Sequence, residues 1–309
     1  MIRILVLGTA AGGGLPQWNC NCDICRRARG GDEATPRSSQ ASIAVSADGE
    51  TWFLVNASPD LRQQINDNPP LHPRHGTRHS PIAGVVLTNG DVDAVAGLLT
   101  LREGAAFTIY GHDKTLGVLA DNSIFNVLDP RLVKRERIEP ERAFTLVNAD
   151  GSPSAIEVVA FAVPGKVPLY LEKGTAADFG KAAGGTLGLH IRNRRNGAHF
   201  FFLAACAALT GELAERVSGA PLVFFDGTLW RDDEMIRAGL GQKTGARMGH
   251  MSMEGTDGSI GAFTGLGVGR KVFLHVNNTN PAHWRGSDEY RALSQAGWEI
   301  LKDGTEIRL

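Results

Sequence analysis

"VLTNGDVDAVAGLL", residues 86–99, changes character twice within a short span. Val86 and Leu87 belong to the apolar run "GVVLTN" (84–89), which predicts a buried strand. From residue 92 the stretch "VDAVAGLLTLRE" (92–103) spaces Val95, Leu98, Leu99 and Arg102 as one face of a helix. Between strand and helix lie Asn89, Asp91 and Asp93. Asp93 suits the cap of the helix that follows, and Asp91 suits a solvated loop position. Both carboxylates also sit where a loop could present them to a metal ion or a substrate.

The same grammar recurs outward along the chain. "IRILVLG" (2–8) predicts a strand entering a Gly-rich loop, and "ASIAVS" (41–46) and "TWFLVNA" (51–57) a hairpin turning at Asp48-Gly49. "FTIYG" (107–111), "AIEVVAFAV" (155–163), "TLGLHIRN" (186–193), "AHFFFLAAC" (198–206) and "PLVFFDG" (221–227) predict further strands, and "VFLHVNNTNP" (272–281) a strand that runs into a loop. "TGELAERV" (210–217) and "SDEYRALSQAG" (287–297) predict helices, the second with Ser287 as cap and Gly297 as stop. Residues 66–81, with His72, His75 and His79, predict an exposed loop. No low-complexity segment or linker divides the chain, so a single domain over 1–309 is expected. Two β-rich halves with outer helices point to an α/β four-layer sandwich.

Composition narrows the function. A net charge of −1 offers no footprint for nucleic acid or an anionic membrane surface. No run of apolar residues is long enough for a membrane-spanning helix. Three of the four cysteines, Cys20, Cys22 and Cys25, fall in "WNCNCDICRRARGG" (18–31), a spacing unsuited to a disulfide framework. A reducing, cytoplasmic setting is expected. Thiolates this close suit one soft cation, and tetrahedral Zn²⁺ is the usual one. The polar neighbours Asn19, Asn21 and Asp23 argue against three inert buried thiols.

The segment 86–99 resembles the strand–loop–helix signature of the metallo-β-lactamase superfamily, His-x-His-x-Asp-His. "AVPGK" (162–166) resembles its Pro-Gly-His, "FFDGTL" (224–229) its bridging-aspartate strand, "GHMSM" (249–253) a Gly-His motif of its phosphodiesterase branch, and "FLHVNN" (273–278) the strand with the last metal histidine. "LGTAAGGGLPQWNCNCDICRRAR" (7–29), "SSQASIAVSADGETWFLVNASPDLRQQI" (38–65), "GLLTLREG" (97–104), "PLYLE" (168–172), "MGHMSM" (248–253) and "LHVNNTNPA" (274–282) resemble, more narrowly, the coenzyme PQQ biosynthesis protein B family. The resemblance implies a metallo-β-lactamase αββα sandwich and a part in making pyrroloquinoline quinone (PQQ). It implies iron- and O₂-dependent hydroxylation of a cross-linked Glu–Tyr precursor, or else carriage of PQQ or its precursor toward the periplasm. It also implies a structural zinc on Cys20, Cys22 and Cys25. The related branch takes its fourth ligand three residues beyond the last site histidine, where this chain has Asn278; Asn278, a water or His275 completes the set.

The metal motif departs from the superfamily. Asn89, Asp91 and Ala94 replace three histidines, and Lys166 replaces the Pro-Gly-His histidine. A dinuclear zinc hydrolase needs more imidazoles than this. Asp91, Asp93, Asp226, His250 and His275 remain, a set suited to one Fe²⁺ with open positions. Lys166 suits contact with the carboxylates of a small acidic substrate or PQQ. A homodimer stays open as an assembly.

Overall fold

The computed structural model describes residues 1–165 and 185–309. Its strands are β1 (Arg3–Gly8), β2 (Ser42–Ser46), β3 (Trp52–Val55), β4 (Ile82–Val86), β5 (Phe107–Gly111), β6 (Val133–Arg137), β7 (Ala143–Val147), β8 (Pro153–Ala162), β9 (Leu187–Asn193), β10 (His199–Leu203), β11 (Leu222–Asp226), β12 (Arg270–Leu274), β13 (Trp298–Glu299) and β14 (Glu306–Arg308). One sheet runs β14-β1-β2-β3-β4-β5-β6, the other β13-β12-β11-β10-β9-β8-β7.

Side chains alternate between two apolar environments, as a strand period of two demands. Ile4 and Val6 of β1, Phe200 and Phe202 of β10, and Leu222 and Phe224 of β11 meet in the core between the sheets. Their neighbours face outward: Leu5 and Leu7 to a second cluster, Phe201, Leu203, Val223 and Phe225 to a third. Burial on both faces explains why these strands read as continuous apolar runs. The outer clusters are closed by helices. Leu61 of α1 (Leu61–Asp67) and Leu119 of α2 (Asp113–Asp121) cover the first sheet. Leu213 and Val217 of α3 (Gly211–Val217) and Leu293 of α4 (Asp288–Gln295) cover the second. The result is the four-layer αββα sandwich. Each fully buried Phe or Leu contributes about 1.5–3 kcal/mol relative to an exposed one.

Three local expectations change. The helix expected over 92–103 is one α-turn, Val92–Val95, followed by a 3₁₀ stretch, Ala96–Arg102. Ala57 N–H donates to the Ala94 carbonyl at 2.7 Å and Gly97 N–H donates to the Ala57 carbonyl at 2.8 Å. Neighbouring backbone therefore takes the Ala94 carbonyl that an α-ladder would use. A Cβ at position 97 would lie 2.1 Å from the Ser58 carbonyl oxygen, so only Gly allows this approach. The strand expected over 84–89 ends at Val86, which releases Leu87–Asn89 toward the sheet end. In the segment 66–81, Leu71 is buried and His72 and His79 are half-buried; only His75 of the three histidines is exposed. Among the described residues no helix is long and apolar enough to cross a membrane.

His283 gives the fold a pH dependence. It is buried, its Nε2 lies 3.2 Å from the Val276 carbonyl, and burial lowers its pKa to about 4 against that contact. The unfolded chain, with a pKa near 6.5, binds the proton more readily between these values. Stability present above about pH 6.5 is therefore lost as pH falls toward 4, by roughly 2 kcal/mol at pH 5. Urea titrations of wild type and His283→Gln between pH 7.5 and 5 should show a flatter dependence in the variant; parallel curves would remove His283 from this role.

Candidate metal centre and cavity

Parallel pairing of β10, β11 and β12 brings the ends of three strands to one edge. Asp226 closes β11 opposite Leu274, and His275 follows as the chain leaves β12. Asp91 and Asp93 arrive on the loop after β4 in the facing sheet. Asp91 occupies the N-cap position of the α-turn without a side-chain cap bond; Asp93 lies within its first turn and turns its carboxylate toward His275. His275 Nε2 lies 2.8 Å from Asp93 Oδ2, and His250 Nδ1 lies 2.7 Å from Asp226 Oδ2. The two imidazoles stack with centroids 5.1 Å apart. One ligand atom each from Asp226, His250 and His275 lies within 4.8 Å of the others.

Asp226 is completely buried. Its Oδ2 accepts from Cys206 N–H at 2.8 Å, and its Oδ1 accepts from Thr228 N–H at 2.9 Å and Thr228 Oγ1 at 2.6 Å. Burial pushes its carboxyl up, but the charge and hydrogen bond of His250 and the contributions of His275 and Thr228 outweigh burial and hold it low. Asp93 follows the same pattern, with burial opposed by its bond to His275. His275 titrates high: burial lowers it, and the Asp93 bond with the charges of Asp93, Asp226 and Asp91 overrides burial. His275 also holds a left-handed backbone, φ 57°, a conformation non-glycine residues rarely adopt and one concentrated at functional positions.

Asp93, His250, His275 and Thr228 face a cavity of about 590 Å³, and Asp226 lies behind them. Asp91, Asp93, Ala94, His250 and His275 line it, as do Gln40, Asn56, Asn89 and Asn277. Asn89, Asp91 and Ala94 thus stand on the wall where the superfamily motif has imidazoles. Lys166 and the "PLYLE" segment lie outside the described residues. Arg62 and Arg102 are surface residues away from the cavity. Sequence reading missed Thr228, whose hydroxyl touches both histidines; a polar residue two positions beyond a strand-end Asp was the available signal.

The sulfurs of Cys20, Cys22 and Cys25 also lie within 4.8 Å of one another. Zinc–sulfur bonds of about 2.3 Å in a tetrahedron separate sulfurs by roughly 3.8 Å, so the cluster fits that ion. Cys22 N–H donates to Cys20 Sγ and Cys25 N–H to Cys22 Sγ, each at 3.5 Å, contacts that suit thiolates. Burial raises the Cys20 thiol, but the Cys22 amide and neighbouring donors bring it below its usual value. Burial and the adjacent cysteines push Cys22 up to about 12. Without a cation the cluster resists full ionisation, the condition a metal relieves. Asn278 Nδ2 donates to Cys25 Sγ at 3.3 Å and approaches Cys22 Sγ at 3.9 Å. In this orientation Asn278 offers hydrogens to the sulfurs, the part of an orienting group. His275 is engaged in the other cluster, with Asp93 and Thr228.

Residues 51–276 match the family described as the Beta-lactamase superfamily domain. The chain is 56% identical to a Coenzyme PQQ synthesis protein B of Bradyrhizobium diazoefficiens over 100% of both sequences. It is 49% identical to one of Xanthomonas campestris pv. campestris, again over 100% of both. A crystal structure of Zn(2+)-bound PqqB from Methylobacterium extorquens is 47% identical and superposes with a TM-score of 0.94, covering 99% of this chain and 100% of that one. A diphosphatase from the PhnP family shares the fold at 18% identity and a TM-score of 0.69, over 100% of this chain and 98% of that one.

Purified protein should carry one zinc at the cysteines. Cys22→Ser should lose that zinc by elemental analysis and melt lower, by about 2–4 °C for each kcal/mol forfeited. A zinc-free wild type, or a serine variant that melts unchanged, would refute the site.

Proposed function

Because this chain belongs to the coenzyme PQQ synthesis protein B family of the β-lactamase superfamily, we propose that it acts in PQQ biosynthesis as a metal-dependent oxygenase. In this reading it hydroxylates a cross-linked Glu–Tyr-derived precursor in the cytoplasm, where closely spaced cysteines stay reduced. The observation that carries the reading is the convergence of two imidazole–carboxylate pairs, His275 with Asp93 and His250 with Asp226, the first offering a nitrogen and an oxygen to an ion. That donor set suits a single Fe²⁺ with open positions. Iron held there would activate O₂. His275 and Asp93 would hold the ion, and Asp226 would orient His250 by accepting from its Nδ1–H, leaving Nε2 toward metal or substrate. Asn89, Asp91 and Ala94 deprive the wall of the imidazoles a dinuclear hydrolase uses. The amides of Gln40, Asn56, Asn89 and Asn277 suit a small ligand rich in carbonyl and carboxylate oxygens, and Lys166 remains the cation proposed for its carboxylates. Zinc on the three cysteines, oriented by Asn278 and completed by a small ligand such as water, would serve structure alone.

One feature favours a second reading, carriage of PQQ or its precursor without chemistry. Asp226 already accepts four hydrogen bonds, which fill the lone pairs a metal would need.

Iron-loaded protein given precursor and ¹⁸O₂ should yield labelled, hydroxylated product. Asp93→Ala and His275→Ala should each lower the rate by about 100-fold or more, beyond the usual loss of an outer partner. Tight binding of the precursor with no label incorporated would replace the oxygenase with the carrier. Generic phosphodiesters should not be turned over, and chelator-sensitive hydrolysis of one would overturn both readings.

A further inference from the structure

Thr228 is 5% exposed, and its hydroxyl stands among three groups of the site. Oγ1 lies 2.6 Å from Asp226 Oδ1, 2.8 Å from His275 Nδ1 and 3.0 Å from His250 Nδ1. Their chemistry leaves one assignment of protons. Asp226 accepts from two backbone N–H groups, those of Cys206 and Thr228, and at Oδ1 it takes the single hydroxyl proton as well. Oγ1 then has only lone pairs to offer. A ring nitrogen at 2.8 Å can meet a lone pair only as N–H, so His275 carries its proton on Nδ1. The same reasoning puts a proton on Nδ1 of His250, shared between Asp226 and Thr228.

We propose that the Thr228 hydroxyl is a positioning group that holds a proton on His275 Nδ1, and so leaves Nε2, which donates to Asp93 Oδ2 at 2.8 Å in the metal-free chain, as the nitrogen free to exchange its proton for a cation. The use of that arrangement, one cation shared between His275 Nε2 and Asp93 Oδ2, rests on the metal reading above. The hydroxyl itself has little freedom. Thr228 is β-branched and stiff at χ1, and its carbonyl accepts from Asn277 N–H at 2.9 Å. Thr228 thus touches the His275 segment twice, by side chain at His275 and by backbone at Asn277. This bracing accompanies the left-handed backbone of His275, which local preference alone would not hold.

Thr228→Val keeps the shape and removes the hydroxyl; Thr228→Ser keeps the hydroxyl. The first readout is the ring Nδ1–H of His275 by ¹⁵N-histidine NMR in metal-free protein. It should be protected from water exchange in wild type and Thr228→Ser, and lost in Thr228→Val. The second is anaerobic calorimetric titration with Fe²⁺. Affinity should fall about 10–100-fold in Thr228→Val, the range for outer partners of metal-bound histidine, and be largely restored in Thr228→Ser. Zinc retained at the cysteines checks that each variant is folded. An unchanged Nδ1–H signal in Thr228→Val, or equal losses in both variants, would overturn the proposal. If wild type binds no Fe²⁺ while the Nδ1–H pattern holds, the metal reading fails and the positioning role stands.

Discussion

A carboxylate with no contact to solvent organises one end of this molecule. Asp226 closes a strand buried on both faces, and an unpaired charge there would be untenable. Four donors answer it: two backbone amides, a hydroxyl and an imidazole. They come from three places, Thr228 supplying two of the four, so satisfying one carboxylate sets the relative positions of the loop after β10, the turn at 226–228 and the segment bearing His250. The parallel register of β11 with β12 then brings His275 into the same cluster. Removing Asp226 would leave several oriented donors without an acceptor, a larger disturbance than loss of one contact.

The cysteine cluster and the cavity are mechanically joined. Ala11 N–H donates to the Val276 carbonyl at 2.9 Å, and Val276 N–H donates to the Thr9 carbonyl at 2.9 Å. The N-terminal loop is therefore stitched to the residue after His275, while Asn278, three positions beyond His275, reaches the sulfurs. Gly12 and Gly13 of that loop line the cavity. A metal at the cysteines would anchor both the glycine loop and the His275 segment without taking part in chemistry, in the way structural zinc converts binding free energy into folded structure.

Much of the fold was legible in the residues because strands buried on both faces announce themselves. The runs at 2–8, 107–111, 198–206 and 221–227 have no other comfortable environment. The edge strand β6 was not legible. Its sequence, Val-Lys-Arg-Glu-Arg, is mostly solvated and carries no period to read. The break in the helix after Val95 was also hidden, because a carbonyl captured from a distant backbone segment leaves no local sign beyond one glycine.

The sequence by itself determined the ingredients of the two clusters. Three cysteines within six positions are close in any conformation, and a strand-end Asp is presented at a sheet edge whatever surrounds it. Only the tertiary structure decided which groups share a centre. Asp93 could have capped its own turn, and His275 could have joined the cysteines. The register of two sheets instead put them 2.8 Å apart, across 182 positions of chain. Thr228 acquired its place between two imidazoles in the same way. Such pairings depend on how layers stack to bury apolar faces, and no local pattern along the chain records that distance.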